Sequence, residues 1–495
     1  MSSEVEGEKR TGQLEIGNPI PCRTGRVKLH SWLFFNSKMP PIKTIVEPIL
    51  FLYMFTQFMN AAVFQSLFYS RICLKNFNAS ICSVLGNGSF TSEENYVQGQ
   101  TSNWILYCNV VLLIPSTFVS FFFGPFSDKV SRKIVIILPI IGNVLLFCVC
   151  ALVSYLENVP IAYILLGYFL SGLLGGYIGM LMAILSYATH VTDIKFRTIR
   201  IGIVESMIFF SGTIGVFLSG ILLKYIGFVW IYVLMAGCCI VALIYCIIVI
   251  EDINTSGESF SKNLLTIFKI QHFKDLISFI TKPRNSNVRI VLFLSVVIIG
   301  VMMFLIMGEN DINLLYLRHS PISATITEVG YFSALESAVR GVSLIVFLPL
   351  LKKFLNPNDF FLCIAGLISR AASSVTLALV RVKSVIYFVP FISLFIGFSS
   401  VAMRGVCSSF VLKEEQGKLF TIISCLQNIT SLIASITFNE IYSATVAIDP
   451  GICYYGSAGI SITLVCLSLF LWRRHNMIKS YVLLQESEIP APGET

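Results

Sequence analysis

Glu205 stands inside an apolar run, from Arg197 to Gly220, that is long enough to cross a bilayer. A carboxylate near the centre of a membrane helix costs roughly 2.5–3.5 kcal/mol. Desolvation favours its neutral form, so an acid placed there is suited to taking up a proton and giving it back. Ser211, Gly215 and Ser219 recur at every fourth position of the same run, which lets a neighbouring helix approach closely and places the run inside a bundle. Arg404 sits in Ser399-Ser-Val-Ala-Met-Arg404-Gly-Val-Cys. Its guanidinium keeps its proton and can hold a carboxylate or sulfate through two parallel hydrogen bonds; the competing reading is snorkelling to the interface. Glu336 and Arg340 are four apart, in the order that favours a helical ion pair. Such a pair is either a structural neutralisation or a gate opened by protonation. Glu47 and Glu440 lie near span ends and read as interface residues.

The five histidines (His30, His190, His272, His319, His475) fall in tails or loops, which excludes a proton relay through a membrane histidine. There is no His-Glu-x-x-His, no glycine-flanked nucleophilic serine and no pair of membrane aspartates, so no enzyme and no metal site is expected. No cofactor is expected beyond protons as the coupling ion.

These residues need helices to position them. The chain has 495 residues, 55% of them hydrophobic and 13% charged, with a mean hydropathy of +0.80. A soluble protein could not hide that much apolar surface, and the alternation of barrel strands is absent. At ~20 residues per span the apolar runs predict an all-α polytopic membrane protein of twelve transmembrane helices. They begin near Ile45, Trp104, Ile134, Ile161, Ile199, Phe228, Val288, Gly330, Phe360, Ser384, Leu419 and Ile452. A polar connection, 251–287, divides them into bundles of six, 43–250 and 288–473, between tails at 1–42 and 474–495.

The net charge of +8 is not a nucleic-acid signal, because the basic residues cluster in alternate loops. By the positive-inside rule those loops, the central connection and both tails are cytoplasmic. The opposite loop, 71–101, carries the glycosylation sequons of Asn78 and Asn87. Cys73 and Cys82 share that loop and could pair there, bond elsewhere or stay free. Apolar residues from Leu264 to Ile277, interleaved with lysines, suggest a helix on the inner membrane interface or a solvated linker helix. Tyr481-Val-Leu-Leu484 is a tyrosine-x-x-hydrophobic pattern of the kind sorting adaptors read.

Gly124-Pro-Phe-Ser-Asp128-Lys-Val-Ser131-Arg132-Lys133 resembles the G-x-x-x-D-x-x-G-R-[RK] signature of the major facilitator superfamily, with serine at the second glycine. Its acid and bases are placed to latch onto neighbouring helix ends when the cytoplasmic side is closed. Further stretches narrow the resemblance to solute carrier family 46. They are Val46-Glu47-Pro48, Arg197-Thr-x-Arg200, Val329-Gly330-Tyr331, Glu415-Gln-Gly-Lys-Leu-Phe420 and Asn439-Glu-Ile-Tyr442-Ser-Ala-Thr-Val446. Together they cover nearly everything but the tails.

The resemblance implies the major facilitator fold in two six-helix bundles and proton-coupled movement of an organic anion by alternating access. The family's helix-five acid falls on Glu205, as proton coupler. Its helix-ten arginine falls on Arg404, as substrate-binding or counter-ion group. The folate branch has a helix-seven histidine; residues 288–318 have none, which favours a sister substrate class. The expected function is therefore symport of amphipathic organic anions: steroid or bile-acid conjugates, muropeptide-like or pterin-type compounds. The expected place is a lysosomal, endosomal or plasma membrane, with the bilayer, protons and sorting adaptors as partners. The rival class is a non-transporting receptor or scaffold that keeps the same helices.

Overall fold

The structure, a computed structural model, describes residues 45–82, 91–156, 158–253, 267–284, 286–319, 322–446 and 448–488. Among these, eleven helical segments are long and apolar enough to cross a membrane, and Ile194–Val249, at 56 residues, holds two spans. Its helix Arg197–Val249 breaks at Gly227, with φ 73° and ψ 177°. That backbone region is essentially closed to residues with a β-carbon. Glycine therefore turns the chain from one span into the next without a polar loop, and the count is twelve.

The helices are α1 Glu47–Asn76, α2 Thr91–Lys129, α3 Arg132–Tyr155 and α4 Ile161–Val191. Then come α5 (197–226) and α6 (228–249) on either side of Gly227, and α7 Ser286–Arg318. α8 runs over 326–354, with one π turn, Ser343–Phe347, inside it. The last four are α9 Asp359–Leu379, α10 Lys383–Ser409, α11 Gln416–Thr445 and α12 Ile452–Glu488. Local chemistry sets several starts. Pro48 occupies the first turn of α1, where its missing N–H costs nothing. Ser131 caps α3 and Asn358 caps α9, while Thr325 and Glu328 close a reciprocal capping box on α8.

Two sequence boundaries shift. α1 and α2 extend through much of the predicted outer loop, to Asn76 and from Thr91. α12 continues as helix past Arg473 to Glu488, because nothing in the intervening sequence stops it. Between α6 and α7, the described part of the connection contains a helix at Ile270–Thr281, whose His272, Leu276 and Phe279 are buried. It lies on α2, with the His272 and Phe126 rings 5.7 Å apart, and leaves Ile270, Ile277 and Ile280 exposed. Lys129–Asp275 at 2.6 Å and Lys282–Glu415 at 2.6 Å tie its middle to α2 and its C-terminal end to the start of α11.

The packed core is unequal on the two sides. The side bearing the basic loops is called inner below. One apolar cluster runs through the first bundle and into the inner half of the second, from Val46 and Phe126 to Leu348, Met403 and Phe420. A separate cluster, including Leu305, Phe332, Val389 and Tyr454, fills the outer half of the second bundle. The bundles are thus joined by hydrophobic burial at the inner end, through α2 with α11 and α5 with α10, and α5 also packs along α8 over 326–342. This is an inner-closed arrangement.

Candidate functional site

The inner closure is built on Asp128, at the end of α2. Asp128 Oδ1 accepts from Arg132 Nη2 at 2.8 Å and from the Gly417 N–H at 2.8 Å, and Oδ2 accepts from the Lys418 N–H at 3.0 Å. The carboxylate therefore caps the first turn of α11 from the opposite bundle, where free N–H groups and the helix dipole favour an anion. Arg132 also donates to Ser186 Oγ and, at 3.1 Å, to the Lys413 carbonyl. Lys133 stays within its own bundle, donating to the carbonyls of Ile247 and Ile250 at 2.8 Å each, at the end of α6.

Gly124 explains why the helices come so near: a β-carbon there would lie 2.7 Å from the Gly417 carbonyl oxygen. Ser131, in place of the second glycine, donates to Asp252 Oδ1 at 2.8 Å. Two further ties cross the seam. Arg197 donates to Ser408, and Thr198 Oγ1 donates to Asp359 Oδ2 at 2.9 Å.

Deeper along the same seam, Glu205 of α5 and Arg404 of α10 form an ion pair. Ser400 Oγ donates to the other carboxylate oxygen at 3.3 Å. Both side chains are buried, 7% and 3% exposed. The two residues expected separately, as proton coupler and as substrate or counter-ion group, thus meet across the bundles. α5 is held against α1 by the small-residue stripe, where a β-carbon on Gly215 would lie 2.8 Å from the Phe55 carbonyl oxygen. Glu47, read as an interface residue, pairs within the first bundle with Arg200 at 2.9 Å.

The second bundle carries charges of its own. Glu336 and Arg340 pair on α8 at 2.5 Å. Beside them Arg370 of α9 donates to Glu309 Oε2 of α7 at 2.7 Å, and Ser374 Oγ donates to Glu309 Oε1 at 3.1 Å. Glu309 and Arg370 are not among the predicted site residues. The available signal was three polar residues, Glu309-Asn-Asp311, interrupting an apolar run.

On the outer side Cys73 and Cys82 form a disulfide, and Asn78 between them is exposed. Asn87 lies outside the described residues. Tyr481 and Leu484 fall in the helical backbone of α12, and their side chains lie outside the described residues.

Residues 48–435 match the family model of the Major Facilitator Superfamily. The chain belongs to the major facilitator superfamily. Its solved structural neighbours carry the same fold. The human organic anion transporter MFSD10 (TETRAN) superposes with a TM-score of 0.64 at 14% identity, over 88% of this chain and all of that one. FucP in the outward conformation gives 0.60 at 11% identity, over 86% and 97%.

The sequence relatives of this major facilitator protein lie in solute carrier family 46. The Gallus gallus lysosomal proton-coupled steroid conjugate and bile acid symporter SLC46A3 is 28% identical over 443 residues, 86% of this chain and 93% of the relative. The Rattus norvegicus proton-coupled folate transporter is 27% identical over 427 residues, 84% and 89% of the two chains. The chain is a multi-span membrane transporter of this superfamily.

Proposed function

We propose that the chain is a proton-coupled symporter of amphipathic organic anions working by alternating access, with Glu205 as the proton site. The observation that carries this is the Glu205–Arg404 pair, an acid and a base from opposite bundles buried together on the closed side. Protonating Glu205 neutralises one partner, removes the attraction across the seam and leaves Arg404 free for an anion.

Magnitudes make the coupling obligatory. Breaking a buried pair by losing one partner costs about 3–5 kcal/mol. Swinging a two-state equilibrium from 1:99 to 99:1 takes about 5.5 kcal/mol. The proton therefore supplies most of the shift but not all, and the anion's preference for freed Arg404 supplies the rest. Relatives named as proton-coupled symporters of steroid conjugates and bile acids support this reading, and support a lysosomal setting.

The test is uptake of labelled anions into liposomes holding the purified protein. Glu205→Gln is expected to abolish accumulation driven by an imposed proton gradient while exchange of internal for external anion continues. Equal gradient-driven accumulation by wild type and variant refutes the role of Glu205. Absence of any anion movement by the wild type favours the receptor or scaffold class.

A further inference from the structure

In the inner-closed arrangement Arg404 is spent on Glu205 and buried, so an anion arriving from the outer side needs another partner. The charges of the second bundle supply one. Arg340 lies 12 residues from Lys352, or ~18 Å along α8 from the inner boundary, which is near mid-membrane. The next residue, Gly341, touches the bundle seam: a β-carbon there would lie 3.2 Å from the Phe210 ring of α5. Arg340 thus stands beside the seam between the bundles, near mid-membrane.

Charged groups of membrane helices turn away from lipid, and here they turn toward one another. Glu336 and Arg340 lie within the electrostatic reach of Arg370, whose direct partner is Glu309, and Tyr454 of α12 neighbours both acids. Arg370 is 2% exposed, whereas Arg340, Glu336 and Glu309 keep 15%, 19% and 17% of their side-chain surface open.

Three further observations mark this group of charges as built for a ligand. Arg340 Nε and Arg370 Nε are buried with no hydrogen-bond acceptor among the described residues, as is the hydroxyl of Ser343. Among the described residues, Arg340 has its ion-pair partner, Glu336, on its own helix, so releasing it breaks no ion pair between helices there. The π turn Ser343–Phe347 follows directly, a distortion often found at functional sites.

We propose that Arg340, backed by the Glu309–Arg370 pair, is the outer-facing recognition site for the anionic group of the substrate, a sulfate or carboxylate on an apolar body. The incoming anion replaces Glu336 on the Arg340 guanidinium in the fork geometry that carboxylates and sulfates accept. Anion binding at Arg340 thereby comes before the Glu205–Arg404 pair opens. The proposal rests on the reading of the chain as an organic-anion symporter.

The test is equilibrium binding of a tritiated steroid sulfate, and of its uncharged parent steroid, to the purified full chain at acid and neutral pH. Arg340→Gln is expected to weaken sulfate binding about tenfold to a hundredfold, the worth of charge-assisted hydrogen bonds, and to leave the parent steroid unchanged. Arg340→Lys is expected to recover part of the loss. The double variant Glu336→Gln with Arg340→Gln leaves no unpaired charge in the pair, so it serves as the test if the single variant fails to fold, and sulfate binding stays lost.

Glu336→Gln is expected to keep sulfate binding, because the anion takes that carboxylate's place on Arg340. Wild-type sulfate affinity in both Arg340→Gln and the double variant overturns the site while leaving the symport reading in place. An equal loss of sulfate and parent steroid also overturns it, as a packing effect. No sulfate binding by the wild type at either pH overturns the reading and the site with it.

Discussion

Gly417→Ala adds one methyl group to the N-terminal turn of α11, and the structure says what that methyl meets. Its carbon would lie 2.5 Å from the Gly124 carbonyl oxygen and 2.9 Å from Asp128 Oδ1. The first obstacle is backbone and cannot rotate away. The second is the carboxylate that receives the N–H groups of Gly417 and Lys418. Overpacking of this kind costs about 1–3 kcal/mol, and weakening the cap adds about 1 kcal/mol. Alanine's better helix propensity returns about 1 kcal/mol. The net is about 1–3 kcal/mol against the inner-closed state, or 5- to 150-fold in its population ratio.

Amide hydrogen exchange read by mass spectrometry reports this directly, because peptides covering 416–421 hold the Gly417 and Lys418 amides that Asp128 protects. The expected result is faster exchange there by the same factor, with 437–445 at the other end of α11 unchanged. Unaltered exchange at 416–421 refutes the idea that the Gly124–Gly417 approach holds the inner side shut.

Other perturbations separate strong contacts from weak ones. Asp128→Asn keeps the shape but leaves Arg132, 2% exposed, without its counter-charge. A loss of about 3–5 kcal/mol is expected, seen as a fall in thermal stability that Asp128→Asn with Arg132→Gln partly restores. Lys282→Ala removes an ion pair whose lysine is 42% exposed. Pairs of that kind are worth about 0–1 kcal/mol, so unfolding temperature and uptake are expected to stay within error of wild type. Cys73→Ser opens a loop closed across a sequence separation of nine. Chain entropy predicts about 2–3 kcal/mol, measured as a lower midpoint of thermal unfolding, with reductant producing the same shift in wild type and none in the variant.

Much of the scaffold was legible because lipid imposes a simple grammar: a run of apolar residues long enough to span becomes a helix. Even the α5–α6 boundary could be placed near Phe228, although no polar loop marks it and Lys224 and Gly227 are its main signals. What could not be read was pairing over distance. Glu205 and Arg404 are 199 positions apart, and each alone fits either an interface or an interior charge. Their meeting is decided by how α5 crosses α10. Glu309 was passed over because it lies nine residues before Arg318 and so resembles the frayed outer end of a span. Only α9, presenting Arg370 and Ser374 to it, shows otherwise. The glycines of α4 pack on α2, with a β-carbon on Gly172 falling 2.7 Å from the Leu112 carbonyl oxygen.

The break at Gly227 has a mechanical outcome. Lys224-Tyr-Ile-Gly227-Phe-Val-Trp230 offers no slack, and Tyr225 and Trp230, 77% and 66% exposed, stand where aromatic side chains anchor at a lipid–water boundary. With that taut corner joining it to α6, α5 has no spare chain with which to slide along its own axis. On the proposed mechanism, a displacement that starts at Glu205 is handed to its neighbours as a tilt of the whole bundle, so a rearrangement of a few atoms at one carboxylate is geared up into motion across the full thickness of the membrane.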